Sequence, residues 1–161
     1  MKGHKKIIDT LNELLRDELT AVNQYMLHAK MCENWGYERL YHAIEKKAID
    51  EMHHAEWLME RILFLEGMPN VSKLNPMKIG QNVLEIIQND LDAEMIAVPA
   101  YNQGITLAHE LEDQATVDLL TKILKMEEGH VDWAERQLDQ IKQMGLENYL
   151  SQQIESDEEE D

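Results

Sequence analysis

Two segments of the chain carry the same pair of metal-binding side chains at the same spacing. They are Glu51 with His54 in "DEMHHAEW", and Glu127 with His130 in "EEGHVDW". A separation of three residues on a helix puts carboxylate and imidazole on one face, about 5–6 Å apart at Cβ. Carboxylate oxygens and imidazole nitrogens together form a mixed donor set suited to divalent or trivalent transition ions. One Glu-x-x-His pair alone carries little weight, because both residues are common on exposed helix faces. Glu18 and Glu94 raise the set to four carboxylates and two imidazoles. Such a set can hold two ions. The glutamates of the Glu-x-x-His pairs are placed to bridge, and Glu18 and Glu94 to be terminal, with one histidine per ion. Four negative ligands then roughly neutralise two M²⁺ ions. A structural zinc site fits less well, since it usually uses four ligands, often with thiolate.

Helices must bring these residues together, and the apolar periodicity predicts four long ones. The first spans about Lys5 to Asn34, with the stripe Ile8, Leu11, Leu15, Val22, Tyr25, Ala29 and a stop signal at Gly36. The second spans about Glu38 to Glu66, with Leu40, Ile44, Ala48, Ala55, Leu58, Ile62, Leu65. Glu66 to Gly80 is a loop punctuated by Gly67, Pro69, Pro76 and Gly80. The third spans about Asn82 to Leu111, with Leu84, Ile87, Leu91, Val98, Tyr101, Ile105, Ala108. The fourth spans about Asp113 to Met144, with Leu120, Leu124, Val131, Ala134, Leu138, Ile141, and a short fifth can follow Gly145. Each stripe is broken once, near its middle, by Glu18, Glu51, Glu94 or Glu127. An unpaired buried carboxylate is costly and normally protonates or finds a counter-charge. Arg16, Lys47 and Arg136 do not recur at matching places, so another source of positive charge is required.

The spacing repeats. Glu18 to Glu51 and Glu94 to Glu127 are each 33 residues, and the two halves are offset by 76. At that offset Leu15 matches Leu91, Val22 matches Val98, Tyr25 matches Tyr101, His54 matches His130 and Trp57 matches Trp133. The chain therefore reads as two copies of one helical hairpin.

With 161 residues, one domain is expected over 1–154, followed by an acidic tail, 155–161, that cannot bury itself and is expected to be disordered. The formal charge of −17 argues against a general nucleic-acid or anionic-membrane binder and suits cations or basic surfaces. Cys32 is the one cysteine, so no intrachain disulfide forms and a reducing compartment is expected. The N-terminus lacks a secretory pattern and no segment has the length of a membrane span, so the cytoplasm is the expected location.

A pair of single glutamates with two Glu-x-x-His pairs is the ligand set known from ferritin-like di-iron and di-manganese carboxylate bundles. Over nearly the whole chain the text resembles the bacterioferritins, through "DELTAVNQY", "IDEMHHAE", "RILFLEGMPN", "EEGHVDW" and "QMGLENYL". The resemblance implies an all-α, ferritin-like four-helix bundle with a long crossover between helices 2 and 3 and a short fifth helix. It implies a hollow shell of 24 subunits, with a related second subunit type as an open alternative. It implies a ferroxidase centre in which Glu18, Glu51, His54, Glu94, Glu127 and His130 bind two irons. Fe²⁺ would be oxidised there by O₂ or H₂O₂ and stored as ferric mineral, with a ferredoxin-type electron donor for release.

Met52 lies about 100° round the helix from Glu51 and so points away from the metal ligands. Its repeat counterpart is Glu128. In the family resembled, this methionine is the axial ligand of a haem b shared by two subunits; on position alone, an outward Met is an interface packer. Tyr25, two turns after Glu18, can hydrogen-bond a ligand, donate an electron or simply fill the core. Tyr101 carries a weaker claim of the same kind, and Trp35 and Trp133 read as packing residues. Asp50 points differently from Glu51 and can guide iron inward. An inner-surface iron site found in some family members pairs that acid with a histidine, where this chain has Lys46. His28 and His53 read as surface or interface residues. Pro99 is expected to remove the bond to the Met95 carbonyl, kink the third helix and displace Glu94. The competing reading is a non-storage di-metal peroxidase or catalase on the same bundle. A rubrerythrin-type enzyme needs a cysteine-rich module, which a single Cys excludes.

Overall fold

The periodic segments form five helices in the computed structural model, which describes residues 1–154. The tail expected to be disordered, 155–161, lies outside the described residues. The helices are α1 (Lys5–Asn34), α2 (Glu38–Phe64), α3 (Val83–Glu110), α4 (Gln114–Met144) and α5 (Leu146–Ser151). Two of the expected first residues prove to be caps. Asn82 accepts from Glu85 N–H at the start of α3, and Asp113 accepts from Thr116 N–H at the start of α4. Gly36, at φ 83°, closes α1 in the left-handed region that glycine adopts without strain. The short turns after α1 and α3 pack α1 against α2 and α3 against α4 as hairpins, while 65–82 cross between them. This is the expected all-α four-helix bundle with a long crossover and a short fifth helix. No helix among the described residues is long and apolar enough to cross a membrane.

The apolar core comes in two parts. One holds Ile44, Ile86, Ile87, Leu91 and Tyr149; the other holds Leu11, Leu15, Leu58, Ile62 and Leu124. The buried acids that interrupt the stripes lie in the layer between. Leu84 departs from its expected core position. It is exposed, and Val83, Ile86 and Ile87 are the buried residues of that turn.

A second, polar stripe on α1 fixes the crossover. Thr20, Gln24 and His28 are spaced one turn apart and so share a face. They accept from the backbone N–H groups of Asn75 (2.9 Å), Lys78 (3.1 Å) and Gly80 (2.9 Å). Asn12, two turns earlier, does the same for Asn70 at 2.8 Å. These bonds answer the backbone polar groups of a segment that has no helix of its own to satisfy them. Gly80 is required by closeness, since a Cβ there would stand 2.5 Å from the Ile86 backbone nitrogen.

His28 corrects the sequence reading: it is fully buried. Gly80 N–H donates to its Nε2, so Nδ1 carries the proton and donates to Asp90 at 2.7 Å. The ring is therefore neutral and serves as a strut between α1, α3 and the crossover. His28→Ala leaves the buried Gly80 N–H without its acceptor and takes one of two side-chain donors from Asp90, whose other is Gln24 Nε2 at 3.0 Å, and is expected to destabilise the subunit by about 2 kcal/mol. Chemical denaturation of wild type and variant measures it; a change within about 0.5 kcal/mol would reject the strut.

Candidate metal centre

The six residues singled out by their spacing converge in the layer between the two apolar halves. Glu18 comes from α1, Glu51 and His54 from α2, Glu94 from α3, and Glu127 and His130 from α4, all buried. They form two overlapping groups. Glu18, Glu51, His54 and Glu127 offer ligand atoms within 4.8 Å of one another, as do Glu51, Glu94, Glu127 and His130. Glu51 and Glu127 belong to both groups, so a carboxylate from each Glu-x-x-His pair can bridge two ions. His54 Nδ1 is 2.8 Å from Glu127 Oε1 and 3.5 Å from Glu18 Oε2. His130 Nδ1 is 2.8 Å from Glu51 Oε1 and 3.2 Å from Glu94 Oε1.

The donor atoms fit metal ions. One or both carboxylate oxygens of every one of the four glutamates, and His54 Nδ1, are buried without a hydrogen-bond partner. Such groups are expensive to leave unmatched. Among the described residues, His54 and His130 are the only basic side chains within ion-pair distance of these glutamates.

The protein's own charges show the same excess of acid. Burial, then the Glu51 charge, pushes the Glu18 carboxyl well above the ordinary range. Burial and the Glu127 charge push Glu94 up to about 7. Burial and the Glu18 charge press Glu127 upward, but the close approach of Glu94, His130 and His54 prevails and holds it low. Burial opposes charge on both imidazoles. The close carboxylates of Glu127, Glu18 and Glu51 nevertheless push His54 up to about 12, and those of Glu127, Glu51 and Glu94 raise His130 similarly. Carboxylates outnumber cations, so protons fill the role. Metal ions can displace those protons, which makes affinity fall as pH falls.

The surrounding residues repeat the pseudo-symmetry of the sequence, but crossed. Tyr25 donates to Glu94 Oε1 at 2.7 Å, and Tyr101 donates to Glu18 Oε1 at 2.5 Å. Each tyrosine thus orients the terminal glutamate of the other repeat. Burial and the Glu94 charge raise Tyr25, and burial and the Glu18 charge raise Tyr101, so both phenols stay protonated donors. Of the roles left open for Tyr25, the geometry shows the hydrogen bond. Tyr101 holds an equal place, which the sequence reading underrated.

Asp50 contacts the centre directly: its Oδ2 lies 3.0 Å from His130 Nε2. Met126 was missed altogether, yet its Sδ lies 3.3 Å from His54 Nε2. The signal was available, because positions 50 and 126 are related by the same offset of 76. Trp133 is not only packing. Lys47, buried, places Nζ 4.7 Å from its ring centre and 5.3 Å from that of Tyr25. Trp35 and His53 stay outside the centre, Trp35 edge-on to Tyr37 and His53 stacked on Trp57.

α3 runs unbroken through Pro99, and Glu94 stays buried in its ligand group, so the expected displacement does not occur. Pro99 and Met95 both lie on the exposed side of the helix, away from Glu94. Water can satisfy the carbonyl freed there. Met52 is 41% exposed, and Ile49, one turn before it, is 45% exposed. A soft thioether donor beside an aliphatic side chain on an open face has the chemistry to hold the iron of an apolar macrocycle such as haem. Between α1, α3 and the crossover, a cavity of about 140 Å³ is lined by Asp17, Glu18, Glu94 and Glu127 together with exposed Lys78 and Ile96.

Comparison with known proteins agrees with this architecture. The ferritin-like domain family matches residues 8–144. A bacterioferritin of Brucella melitensis is 43% identical over 149 residues, covering 92% of each chain. A bacterial ferritin of Synechocystis is 41% identical over 155 residues, covering 96% of this chain and 99% of its own. A bacterioferritin of Streptomyces coelicolor is 41% identical, covering 96% of this chain and 93% of its own. Four ligand-bearing helices, their connection and nearly full-length identity lead to one conclusion: the chain belongs to the ferritin-like domain family, among the bacterioferritins.

Proposed function

We propose that this chain stores iron, oxidising Fe²⁺ at the centre formed by Glu18, Glu51, His54, Glu94, Glu127 and His130. The observation that carries this reading is the pair of overlapping ligand groups sharing Glu51 and Glu127. A shared pair of carboxylates can hold two iron ions at once, which matches one-electron donors to a two-electron acceptor. Two Fe²⁺ supply two electrons; H₂O₂ takes them with two protons and leaves as two waters, and O₂ can serve as the oxidant in its place. Fe²⁺ is the substrate, and the acidic cavity beside Asp17 is its route inward. Tyr25 and Tyr101 keep the terminal carboxylates aimed as charge changes at the centre.

Residues 1–154 act as one folded unit in this reading, and 24 such units form the shell around the ferric mineral. The shell is a homo-oligomer, with a related second subunit as the alternative, and it works in the cytoplasm. Met52 would hold a haem b through its thioether, and that group, when bound, would supply an electron path through the shell. Electrons for iron release come from a small ferredoxin-type donor.

The test is size and capacity together. Purified protein, sized by light scattering and exposed to Fe²⁺ in air, is expected to form the shell and accumulate iron far beyond two ions per subunit. A dimer that retains two ions per subunit and takes up no more would sink the storage reading. It would support instead a di-metal peroxidase or catalase, for which the same six ligands suffice.

A further inference from the structure

The two metal positions differ in one place that the internal repeat makes visible. Position 50 and position 126 are related by the 76-residue offset, and each immediately precedes a bridging glutamate. Each side chain reaches across to the histidine of the other hairpin. Asp50 on α2 meets His130 Nε2 at 3.0 Å, and Met126 on α4 meets His54 Nε2 at 3.3 Å. The position is the same, but one occupant is a carboxylate and the other a thioether. In ligand type the two groups match, since each has one tyrosine-held terminal glutamate, one histidine and the same two shared glutamates.

The chemical consequences follow from the acceptor. A carboxylate accepting the Nε2 proton locks His130 in the tautomer whose Nδ1 lone pair faces the ligand group. It also makes that nitrogen a stronger donor. A thioether is a weak acceptor with no charge, so His54 receives neither benefit to the same degree. Asp50 further adds negative charge next to one position only. Lys47 is an opposing charge near that side, but it stands behind the Tyr25 ring and makes no ion pair with the ligand glutamates among the described residues. Direct contact through a ligand outweighs it.

We propose that residue 126 makes the two metal positions unequal. The position formed by Glu51, Glu94, Glu127 and His130 holds a divalent ion more tightly than that formed by Glu18, Glu51, His54 and Glu127. Loss of an outer partner of a ligating histidine costs 10–100-fold in affinity, so the difference is expected to be about 10–100-fold. This rests on the di-metal reading of the centre and deepens it: the His130 side is the retaining position, and the His54 side is the exchanging one. Asp50 and Met126 are positioning residues, acting only through the histidines.

The experiment is site occupancy at limiting metal. Crystals of the full assembly, stripped with chelator, are soaked to about one Co²⁺ per subunit, and anomalous scattering gives the occupancy of each position. Wild type is expected to show Co²⁺ mainly at the His130 position. Met126→Asp is expected to make the two positions fill together. The exchange variant Asp50→Met with Met126→Asp is expected to reverse the order. Asp50→Asn, nearly isosteric, covers the case in which those variants do not fold, and is expected to shift Co²⁺ toward the His54 position. Equal filling in wild type, or a preference unmoved by these substitutions, would overturn the inference while leaving the di-metal centre standing. Absence of Co²⁺ from both positions at saturation would overturn the ligand assignment and the inference together.

Discussion

Replacing Glu127 and His130 with alanine is expected to lower rapid Fe²⁺ oxidation by at least about 100-fold, since loss of an outer partner alone costs up to that much. Glu127 is one of two carboxylates common to both ligand groups, so its loss weakens both positions rather than one. His130 is the nitrogen donor of the Glu94 group, and without it Glu51 and Glu94 each lose a partner at 2.8 and 3.2 Å. The fold should survive. The removed groups lie in the polar layer, and the two apolar halves on either side keep their contacts. Stopped-flow absorbance of Fe³⁺ formation, run beside light scattering of the assembled variant, reads both quantities. Rapid oxidation that persists in a correctly assembled variant would show that the centre has been assigned to the wrong residues.

Met52→Leu is expected to abolish the Soret absorption of the purified protein while leaving Fe²⁺ oxidation near its wild-type rate. Leucine keeps the volume and apolar character of methionine but has no donor atom, so packing at this exposed face changes little. Met52 is one residue from Glu51 along α2 but faces outward, whereas Glu51 is buried. The two functions therefore share a helix turn without sharing a side chain. An absorption spectrum of protein expressed with ample haem precursor, together with the oxidation assay, separates them. A Soret band of unchanged intensity in the variant would eliminate Met52 as the axial ligand. A loss of oxidation along with the band would show that the variant has disturbed α2 itself.

The residues that could be recognised in advance share one property: each interrupts a regular pattern. Glu18, Glu51, Glu94 and Glu127 stand where a helix burying one face calls for an apolar side chain, and the offset of 76 brings them into register. Burial of that face is forced by the hydrophobic effect, so the interruption had to be buried too. Leu84 marks the limit of this logic. Near a helix start the stripe can rotate by one position, and Val83, Ile86 and Ile87 took the core instead.

The polar stripe Thr20, Gln24 and His28 is equally periodic, yet it meant nothing without the crossover that lies on it. Its partners are backbone N–H groups, which every residue has, so no residue type in the loop announces the contact. His28 was misplaced for that reason. Pro99 shows the reverse, a conspicuous residue whose effect is dissipated on the solvent side of α3.

The amino-acid sequence by itself determined the four long helices, the internal repeat, the six candidate ligands and the outward direction of Met52. All of these follow from periodicity along a single helix, where the geometry is fixed at 3.6 residues per turn. Only the tertiary structure decided which helix supplies the partner of each ligand. Tyr25 reaches Glu94, Tyr101 reaches Glu18, Asp50 reaches His130 and Met126 reaches His54, every one of them across a helix–helix interface. Such pairings depend on how the helices are rotated and set against one another. That is a property of packing between segments far apart in the chain, and no local pattern of residues encodes it.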